Sequence, residues 1–388
     1  MRVTMLVRCL AMMRGGGETR HLAWARELAT LGMDVEIVAG RPLLFGRPRY
    51  PIDDVPVSVT LLRSPYARDF VYRHQRQRGF GRLTSTVLHA DEAWFCRAAW
   101  KLIASRSSKP DVVHAHALHQ AARLRIGDIP VVINLPGEPN ARYRDDLHRA
   151  DALVADGWAA AQLPRTLGLP VHRISKGVDG DRFQPQGPSM RESLRLQNRR
   201  VVLTVARLVP IKRVALLVDG FAALRGRMPN AHLVIVGDGP ERDALHQRAA
   251  SLGVLDASTF VGSIAHRDTP AFYRAADVFA LSSEFDNSPN VVLEAMASGL
   301  PIVSTDVGGV REFVDEPQGG TIVARGDADA LARAIERYLT SYPDARAAGV
   351  YNRRKATSDF SWSASASQLA AVYRRVVSAN GRDERASA

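Results

Sequence analysis

Short apolar runs alternate with amphipathic stretches along the whole sequence. In the first half, runs rich in Val, Ile, Leu and Ala predict strands at Val3–Val7, Val35–Ala39, Val112–Ala115, Val131–Leu135 and Ala152–Ala155. Apolar residues at helical spacing predict helices between them, at Thr19–Leu31, Asp91–Ser105 and Ala159–Leu167. Parallel strands joined by helical crossovers produce this alternation, so we predict an α/β fold.

The second half repeats the scheme. Strands are predicted at Val201–Val205, His232–Val236, Ser258–Val261, Val278–Leu281, Pro301–Ser304 and Gly320–Val323. Helices are predicted at Arg213–Arg225, Glu241–Leu252, Thr269–Ala275, Val291–Ala297, Val310–Val314 and Ala328–Leu339, with a final one at Trp362–Val377. The Pro- and Gly-containing segment 180–198 separates the halves. We therefore expect two doubly wound, Rossmann-like domains, 1–180 and 181–360, and a disordered tail at 378–388.

Length and composition agree with a two-domain globular protein. The 388 residues exceed the size at which a single hydrophobic core usually stops growing, and 46% of them are hydrophobic. The two cysteines, Cys9 and Cys96, are too few for a disulfide framework, and no metal-binding spacing is present, so we expect a cytoplasmic protein without a metal. Arg8 interrupts the apolar N-terminus, which predicts a first strand rather than a signal peptide.

Positive charge is concentrated in the first half of the chain. Of the formal net charge of +12, residues 1–180 hold 26 Lys/Arg against 17 Asp/Glu. The excess includes a basic patch interleaved with aromatic residues, formed by Arg41, Arg47, Arg49, Arg63, Arg68, Arg73, Arg76 and Arg78. Peripheral contact with an anionic membrane or an acidic acceptor is one interpretation, and a solvated basic face is the other. No nucleic-acid-binding signature accompanies the patch, so nucleic acid is not an expected partner.

A glycine-rich segment follows the first predicted strand. Gly15, Gly16 and Gly17 precede a helix, where free amides at the positive helix end can hold a sugar or a phosphate. A dinucleotide fingerprint fails because Arg20 occupies the place of its third glycine. A sugar- or phosphate-binding loop and a plain strand-to-helix turn both remain open.

Charged and glycine residues follow two strands of the second half. Arg207 and Lys212 follow the strand in VVLTVARLVPIK and lie at the sheet edge where ligands of α/β proteins bind, as two cations suited to a diphosphate. Gly237 and Gly239 follow the strand in VIVGDGPE, a loop against which a nucleotide base can rest. Solvated loop cations and an ordinary tight turn are the structural alternatives.

The segment LSSEFDNSPNVVLEAMASGLPIVSTDVGG is the most informative. Asp286 lies in a loop at a predicted helix start, and Glu294 lies just over one turn inside that helix. Amides near Asn290 and Val291 can bind phosphate, and the two carboxylates can bind hydroxyl groups. A capping or ion-pairing role for Glu294 is the alternative.

These segments, in this order and spacing, resemble the donor domain of the retaining glycosyltransferases of family four, which have the GT-B fold. The resemblance covers nearly the whole chain, since it includes DVVHAH at 111–116, KGVDGDRF at 176–183 and the closing FSW with its helix. It implies two Rossmann-like domains that face each other across a cleft. It also implies that a final helix, at about 361–388, packs back on the first, acceptor-binding domain.

The resemblance implies a role for each candidate residue. Arg207 and Lys212 would bind the donor diphosphate, Asp286 hydroxyls of the transferred sugar, and Glu294 the ribose. The remaining implied contacts are backbone at Asn290 and Val291 for the phosphates, a base slot near Gly237, Gly262 and Ile264, and Gly16 and Gly17 close to the diphosphate. The donor would be a UDP- or GDP-sugar, used without metal or other cofactor and with retention of configuration, and the acceptor a glycan, a lipid-linked sugar or a small molecule.

Some positions depart from the family pattern. Asp286 stands where the family usually has a glutamate, which leaves the transferred sugar open. Pro136 stands where a histidine is common, so that Asn134 or Glu138 would have to replace it. Lys176 and Arg213 replace an asparagine and a glycine, both of which look tolerable.

The same residues leave three alternatives to that assignment. His114, His116 and His119 are expected to be buried or loop histidines rather than metal ligands. A phosphorylase or sugar-nucleotide epimerase of the same fold is a second enzyme class, and a non-catalytic nucleotide-sugar-binding scaffold is a third possibility. Arg207, Lys212 and Glu294 argue against the scaffold.

Overall fold

The chain forms two compact units in a computed structural model, which describes residues 1–12, 16–42, 55, 57–64 and 81–386. Unit 1 comprises Met1–Ser175 and Trp362–Ala388, and unit 2 comprises Lys176–Ser361. The chain leaves unit 1 after Ser175, against the boundary at 180 drawn from the sequence.

Unit 1 is built on a seven-stranded parallel sheet with the order β3-β2-β1-β4-β5-β6-β7. Its strands are β1 (Arg2–Leu6), β2 (Asp34–Pro42), β3 (Ser58–Ser64), β4 (Val112–His116), β5 (Val131–Asn134), β6 (Ala152–Ala155) and β7 (Val171–Arg173). Its helices are α1 (Gly16–Thr30), α2 (Gly81–Ala104), α3 (Arg144–Leu147), α4 (Gly157–Leu167) and α12 (Trp362–Ala386). Strand order reverses at β1, so the crevice beside that strand is the expected ligand edge of the unit.

Unit 2 is built on a six-stranded parallel sheet with the order β10-β9-β8-β11-β12-β13. Its strands are β8 (Arg200–Val205), β9 (Ala231–Val236), β10 (Ser258–Gly262), β11 (Val278–Leu281), β12 (Ile302–Thr305) and β13 (Gly320–Val323). Its helices are α5 (Val214–Arg227), α6 (Arg242–Ser251), α7 (Pro270–Tyr273), α8 (Asn290–Ala297), α9 (Val310–Phe313), α10 (Ala328–Thr340) and α11 (Tyr342–Asp359). Apolar residues on both faces of the sheet are buried against these helices, as a parallel sheet requires.

Helix α12 packs on α1 within unit 1. The indole N–H of Trp24 on α1 donates to Ser365 Oγ at 2.8 Å, and Leu369 and Tyr373 are fully buried. The tail from Ser378 onward, expected to be disordered, continues α12 as far as Ala386. That expectation was wrong because polar composition alone does not stop a helix whose preceding turns are already fixed by packing.

Helix α11 was not predicted, and the residues on its buried side explain why. These are Ala348, Gly349, Asn352 and Ala356, which give no hydrophobic periodicity. Gly349 lies against the backbone of Gly299, so that an added Cβ would come within 2.1 Å of the Gly299 carbonyl oxygen. Small residues let α11 approach α8 closely, and Asn352 donates to the carbonyls of Leu300 (2.8 Å) and Gly319 (2.6 Å).

The predicted basic patch falls largely on residues that are not described. Arg47, Arg49, Arg68, Arg73, Arg76 and Arg78 lie outside the described residues, whereas Arg41 and Arg63 lie within them and are exposed. Among the helices that the structure describes, none combines the length and the apolar character needed to cross a bilayer.

Candidate active site

The loops that follow β8, β9 and β10 meet at the carboxyl edge of the unit 2 sheet. The Gly237 N–H donates to the Gly262 carbonyl at 2.9 Å, which joins two of the loops in an isolated bridge. Gly237 has a φ of +132°, and a Cβ there would lie 1.8 Å from the carbonyl oxygen of Ala206, in the loop after β8. Only glycine fits this junction. The structure therefore brings together Gly237 and Gly262, two residues assigned to the base slot.

A direct ion pair joins the loops that follow β8 and β11. The Lys212 ammonium donates to an Asp286 carboxylate oxygen, and both side chains are less than one-fifth exposed. The same loops are bonded through their backbones, since the Glu284 N–H donates to the Ile211 carbonyl at 2.8 Å. The predicted cation and the predicted sugar-binding carboxylate thus neutralise each other in the absence of a ligand.

Arg213, which follows Lys212, has a left-handed backbone with φ 49° and ψ 38°. This is the position at which the family pattern has a glycine, and a non-glycine residue there costs about 1 kcal/mol or more. The strained backbone lies between Lys212 and the first residue of α5. The arginine noted in the sequence therefore adopts the backbone conformation that a glycine would adopt more readily.

A pair of glycines supports the Asp286 loop from the other side. Gly308 has a φ of +39°, and a Cβ on it would lie 1.7 Å from the Asp286 carbonyl oxygen. The Gly309 N–H donates to that same oxygen at 3.2 Å, and a Cβ on Gly309 would lie 2.3 Å from the Asn287 carbonyl oxygen. The two glycines of TDVGG therefore let one loop backbone lie directly on the other.

The first turn of α8 presents two backbone amides to this edge. The first amide of the turn to be bonded is that of Val292, which donates to the Pro289 carbonyl at 3.1 Å. Within residues 176–361, no acceptor is found for the amides of Asn290 and Val291. Pro289 is the N-cap and has no side-chain acceptor, so these amides and the helix dipole are available to an anion.

Lys176 reaches the same loop. Its ammonium donates to the carbonyl of Ser288, two residues before α8, at 2.5 Å. The sequence had marked this lysine only as a departure from the family's asparagine. The structure gives it a contact with the backbone that leads into α8.

Glu294 is buried, with 7% of its surface exposed, and both of its carboxylate oxygens have partners. Oε1 lies 2.9 Å from Nε2 of His266, and Oε2 accepts a hydrogen bond of 2.8 Å from the Tyr273 hydroxyl. Burial, and secondly the Glu294 charge, raise the pKa of Tyr273 well above its usual value, so Tyr273 remains a donor. Neither His266 nor Tyr273 was found from the sequence, because no spacing rule connects them to Glu294.

Arg207 and Ile264, the remaining candidates for the donor site, follow β8 and β10 at the same edge. Arg207 follows β8 and is exposed, and no ion pair to it is found within residues 176–361. Ile264 follows β10 and packs on the apolar cluster beneath the sheet edge. Two residues further on, His266 links this loop to Glu294 on α8.

In unit 1, the glycine segment is held by a chain of hydrogen bonds. Gly16 is exposed at the start of α1, and His21 Nδ1 lies 2.7 Å from the Gly17 carbonyl oxygen. His21 Nε2 lies 3.0 Å from His114 Nε2, and His114 Nδ1 lies 2.8 Å from the Tyr373 hydroxyl. One set of proton positions fits: Tyr373 donates to His114, His114 to His21, and His21 to Gly17. This series of hydrogen bonds connects the glycine segment to α12.

His21 and His114, the two histidines in this series of hydrogen bonds, are both neutral. Burial, followed by the neighbouring His116 and Arg20 charges, lowers the pKa of His114 to about 3, and burial also lowers that of His21 well below its usual value. Among the described residues no cluster suited to a metal is found. Arg20, which replaced the third glycine of the dinucleotide fingerprint, is buried and paired with Asp156.

Asn134, one of the two candidates to replace the family histidine missing at Pro136, is bonded on both sides within unit 1. Its side chain is 1% exposed, and Oδ1 lies 3.0 Å from Nδ1 of His116 while Nδ2 donates to the Val154 carbonyl at 3.4 Å. Asn134 therefore orients His116 inside unit 1. Glu138, the other candidate, is exposed.

Comparisons with known proteins identify the family to which the sequence is similar. The sequence model of the family described as glycosyl transferases group 1 matches residues 187–355. A GDP-mannose-dependent alpha-(1-6)-phosphatidylinositol monomannoside mannosyltransferase of Mycolicibacterium smegmatis is 35% identical over 52% of this chain and 55% of its own, so the match spans about half of that relative. A D-inositol 3-phosphate glycosyltransferase of Salinispora arenicola is 30% identical over 95% of this chain and 88% of its own.

Solved structures share the fold across nearly the whole chain. Sucrose-phosphate synthase from Thermosynechococcus elongatus has a TM-score of 0.76 at 20% identity, covering 97% of this chain and 99% of its own. HepE of Anabaena, in complex with UDP, has a TM-score of 0.72 at 20% identity, covering 97% and 100%. The predicted fold class, two Rossmann-like domains of the GT-B type, is confirmed.

Proposed function

Because this chain belongs to the group 1 glycosyltransferases, we propose that it transfers a hexose from a nucleoside diphosphate sugar to a hydroxyl-bearing acceptor, with retention of anomeric configuration. The observation that carries the proposal is the edge of unit 2. There Lys212 and Asp286 are paired beside the amides that open α8, the helix that carries Glu294. Cation, amides and carboxylates supply what a diphosphate, a hexose and a ribose require.

Each group at the edge has a proposed role. Arg207, Lys212 and the amides of Asn290 and Val291 stabilise the negative charge that develops on the leaving diphosphate. Asp286, once its ammonium partner turns to the diphosphate, accepts hydrogen bonds from hydroxyls of the transferred sugar.

Glu294 accepts hydrogen bonds from the ribose hydroxyls. Its two oxygens each have a second lone pair for this, and His266, half exposed, can also turn away. The base rests at the bridge between Gly237 and Gly262.

The reaction balances without a protein base. The bond between the anomeric carbon and the diphosphate oxygen breaks, and the acceptor oxygen bonds to that carbon on the same face. The acceptor proton passes to the leaving diphosphate. We propose that this proceeds without a metal ion, with the protein cations neutralising the diphosphate.

The names of the relatives suggest candidates for the donor base and for the acceptor. The first relatives are named for GDP-mannose, and HepE holds UDP, so both bases are candidate donors. Relatives named for phosphatidylinositol mannoside and inositol phosphate acceptors suggest an acceptor that is a polyol, a lipid-linked sugar or a glycan.

The test is release of GDP or UDP by the purified full chain from GDP-mannose, UDP-glucose and related donors, with and without inositol phosphate or a lipid extract. We expect acceptor-dependent release that EDTA leaves unchanged, and a product whose anomeric coupling in NMR matches the donor's. Acceptor-independent formation of sugar phosphate or of an isomerised nucleotide sugar would identify a phosphorylase or epimerase instead. Calorimetric binding of the donor without turnover would indicate a scaffold. The absence of both donor binding and turnover would refute the proposal.

A further inference from the structure

A second cavity lies in unit 2, at the amino edge of its sheet. It encloses about 630 Å³, a size typical of small-molecule sites. Arg200 begins β8, Asp277 precedes β11 and Pro301 precedes β12, and all three line it. The donor-site residues follow the opposite ends of these strands. Since β8 is six residues long, the two edges are separated by roughly 17 Å.

The floor of this cavity is apolar. Leu300, Pro301 and Leu339 line it and are buried. The helix α11 forms one wall and places Tyr342 and Val350 at the mouth, each 66% exposed. Together with the floor they form an apolar surface rimmed by charged residues, which is typical of ligand-binding grooves.

The rim is positively charged. Arg200 and Arg346 line the cavity, are exposed, and have no ion pair within residues 176–361. Arg354 also lines it, stacked over the Tyr351 ring at 5.7 Å. The one carboxylate in the wall, Asp277, is already bonded to the Arg191 guanidinium at 2.6 Å.

Arg353, by contrast, is occupied by the fold. Its Nη1 donates to the carbonyls of Gly180, Phe183 and Ala297 at 2.5–2.8 Å. The cavity therefore retains a rim of guanidinium groups, Arg200 and Arg346 foremost, that lack a carboxylate partner.

We propose that this cavity binds an anionic amphiphile, a molecule with an apolar tail or ring and one phosphate or carboxylate group. The apolar floor removes the tail from water, and Arg200 and Arg346 pair with the anionic head. A hydrophilic phosphate, such as a sugar phosphate, would leave its hydroxyls against Leu300 and Leu339 without hydrogen-bond partners. The site is distinct from the donor site and does not rest on the proposed function.

The test is calorimetric titration of the full chain with lysophosphatidylglycerol below its critical micelle concentration. Lysophosphatidylcholine with the same tail and inorganic phosphate serve as comparison ligands. We expect the anionic amphiphile to bind at least tenfold more tightly than the zwitterion, and inorganic phosphate not to bind. Flotation of the wild type and of Arg346→Glu with phosphatidylglycerol vesicles then separates a bilayer lipid from a free amphiphile as the source, because vesicles recruit the wild type more strongly than the variant only in the first case.

Two variants locate the site. Arg346→Glu and Val350→Asp should each weaken lysophosphatidylglycerol binding at least tenfold. Arg333→Glu is the matched control, because this exposed arginine lies on α10 outside the cavity and its reversal changes the net charge by the same amount. Far-ultraviolet circular dichroism checks the fold, and if Val350→Asp does not fold, Arg346→Glu still decides.

Three results would overturn the inference. The first is equal binding of the zwitterion and the anion, and the second is an equal loss of affinity in Arg333→Glu and Arg346→Glu. The third is a dimer in light scattering that Val350→Asp dissociates, since the exposed residues would then be covered by a second copy of the chain.

Discussion

Replacing Glu294 with glutamine tests the donor site at its most buried group. The substitution keeps the shape of the side chain but removes its charge and turns one oxygen into an NH₂ group that cannot accept. In the protein as it stands, one oxygen accepts from Tyr273 at 2.8 Å and the other lies 2.9 Å from His266. Under the proposed function, the same oxygens also accept the two ribose hydroxyls.

The expected loss follows from these bonds. A hydrogen bond to a charged group contributes about 1.5–3 kcal/mol, and a neutral one about 0.5–1.5 kcal/mol. Two ribose contacts that lose their charged acceptor therefore weaken donor binding by about 2–3 kcal/mol, which raises the donor Kd about 30- to 150-fold. Stability falls less, by about 1–2 kcal/mol, because His266 is half exposed and can bond to water, so that the buried Tyr273 hydroxyl carries most of the cost.

The assay is calorimetric titration of GDP and UDP into the wild type and Glu294→Gln, with urea unfolding in parallel. Tyr273→Phe is the control, because it disturbs the same hydrogen bond but leaves the carboxylate intact. We expect it to lose about 1 kcal/mol of stability and to change the donor Kd less than threefold. An unchanged Kd in Glu294→Gln, or an equal loss in Tyr273→Phe, would show that the carboxylate does not contact the ribose.

Three further predictions concern the supports of the two units. Gly308→Ala should lower the free energy of unfolding by about 2–5 kcal/mol and abolish donor binding, because the Cβ would overlap the Asp286 carbonyl oxygen. In the control Gly326→Ala, where φ is +81° but the space is open, urea unfolding should show a loss of only about 1–2 kcal/mol. His114, whose pKa is about 3 in the folded chain and near 6.5 unfolded, makes unfolding bind a proton at acid pH. Between about pH 6.5 and the folded-state pKa of about 3, His114 should therefore lower the free energy of unfolding by about 1.4 kcal/mol per pH unit, and this contribution to the slope should be absent in His114→Gln. Tryptophan fluorescence measures the slope, and an unchanged slope would contradict the neutral assignment. Lys176→Met should raise the donor Kd about 3- to 10-fold by removing its carbonyl contact, while Lys355→Met, which removes a lysine bonded to Asp315 instead, should not. Equal effects of the two substitutions on the calorimetric Kd would argue against a positioning role for Lys176.

The tryptophan signal is specific for unit 1. All five tryptophans of the sequence, at 24, 94, 100, 158 and 362, lie within the ranges of that unit. Fluorescence-detected unfolding therefore follows unit 1 even when unit 2 unfolds separately. This removes the ambiguity that two-domain chains otherwise introduce into a single unfolding curve.

The strands were predicted well because parallel strands buried on both faces are continuous apolar runs. The predicted Ala152–Ala155, Val278–Leu281 and Gly320–Val323 are strands with those same bounds. The edge strands Ser58–Ser64 and Val171–Arg173 were missed, since they are mostly half-buried and lack such runs. Both strands escaped prediction because they are only partly buried and so have no continuous apolar run.

The residues of the candidate donor site were predicted from the sequence, but the contacts among them were not. The order of strands and loops places Lys212 and Asp286 at one edge, and the structure joins them in an ion pair. His266, Tyr273 and Lys176 came from packing between loops that are distant in sequence, which periodicity and motif spacing do not encode. Their contacts required coordinates.

The pairing of Lys212 with Asp286 means that the resting site carries its own counter-ion. Under the proposed function, the arrival of a diphosphate would exchange one anion for another at Lys212, so this lysine would release no counter-ion to the solution. Under the proposed function, the ionic-strength dependence of donor affinity reports mainly on the exposed Arg207 and the α8 amides. Under the same proposal, the Asp286 carboxylate would pair again with Lys212 when the nucleoside diphosphate leaves, and this would neutralise the charge of the lysine.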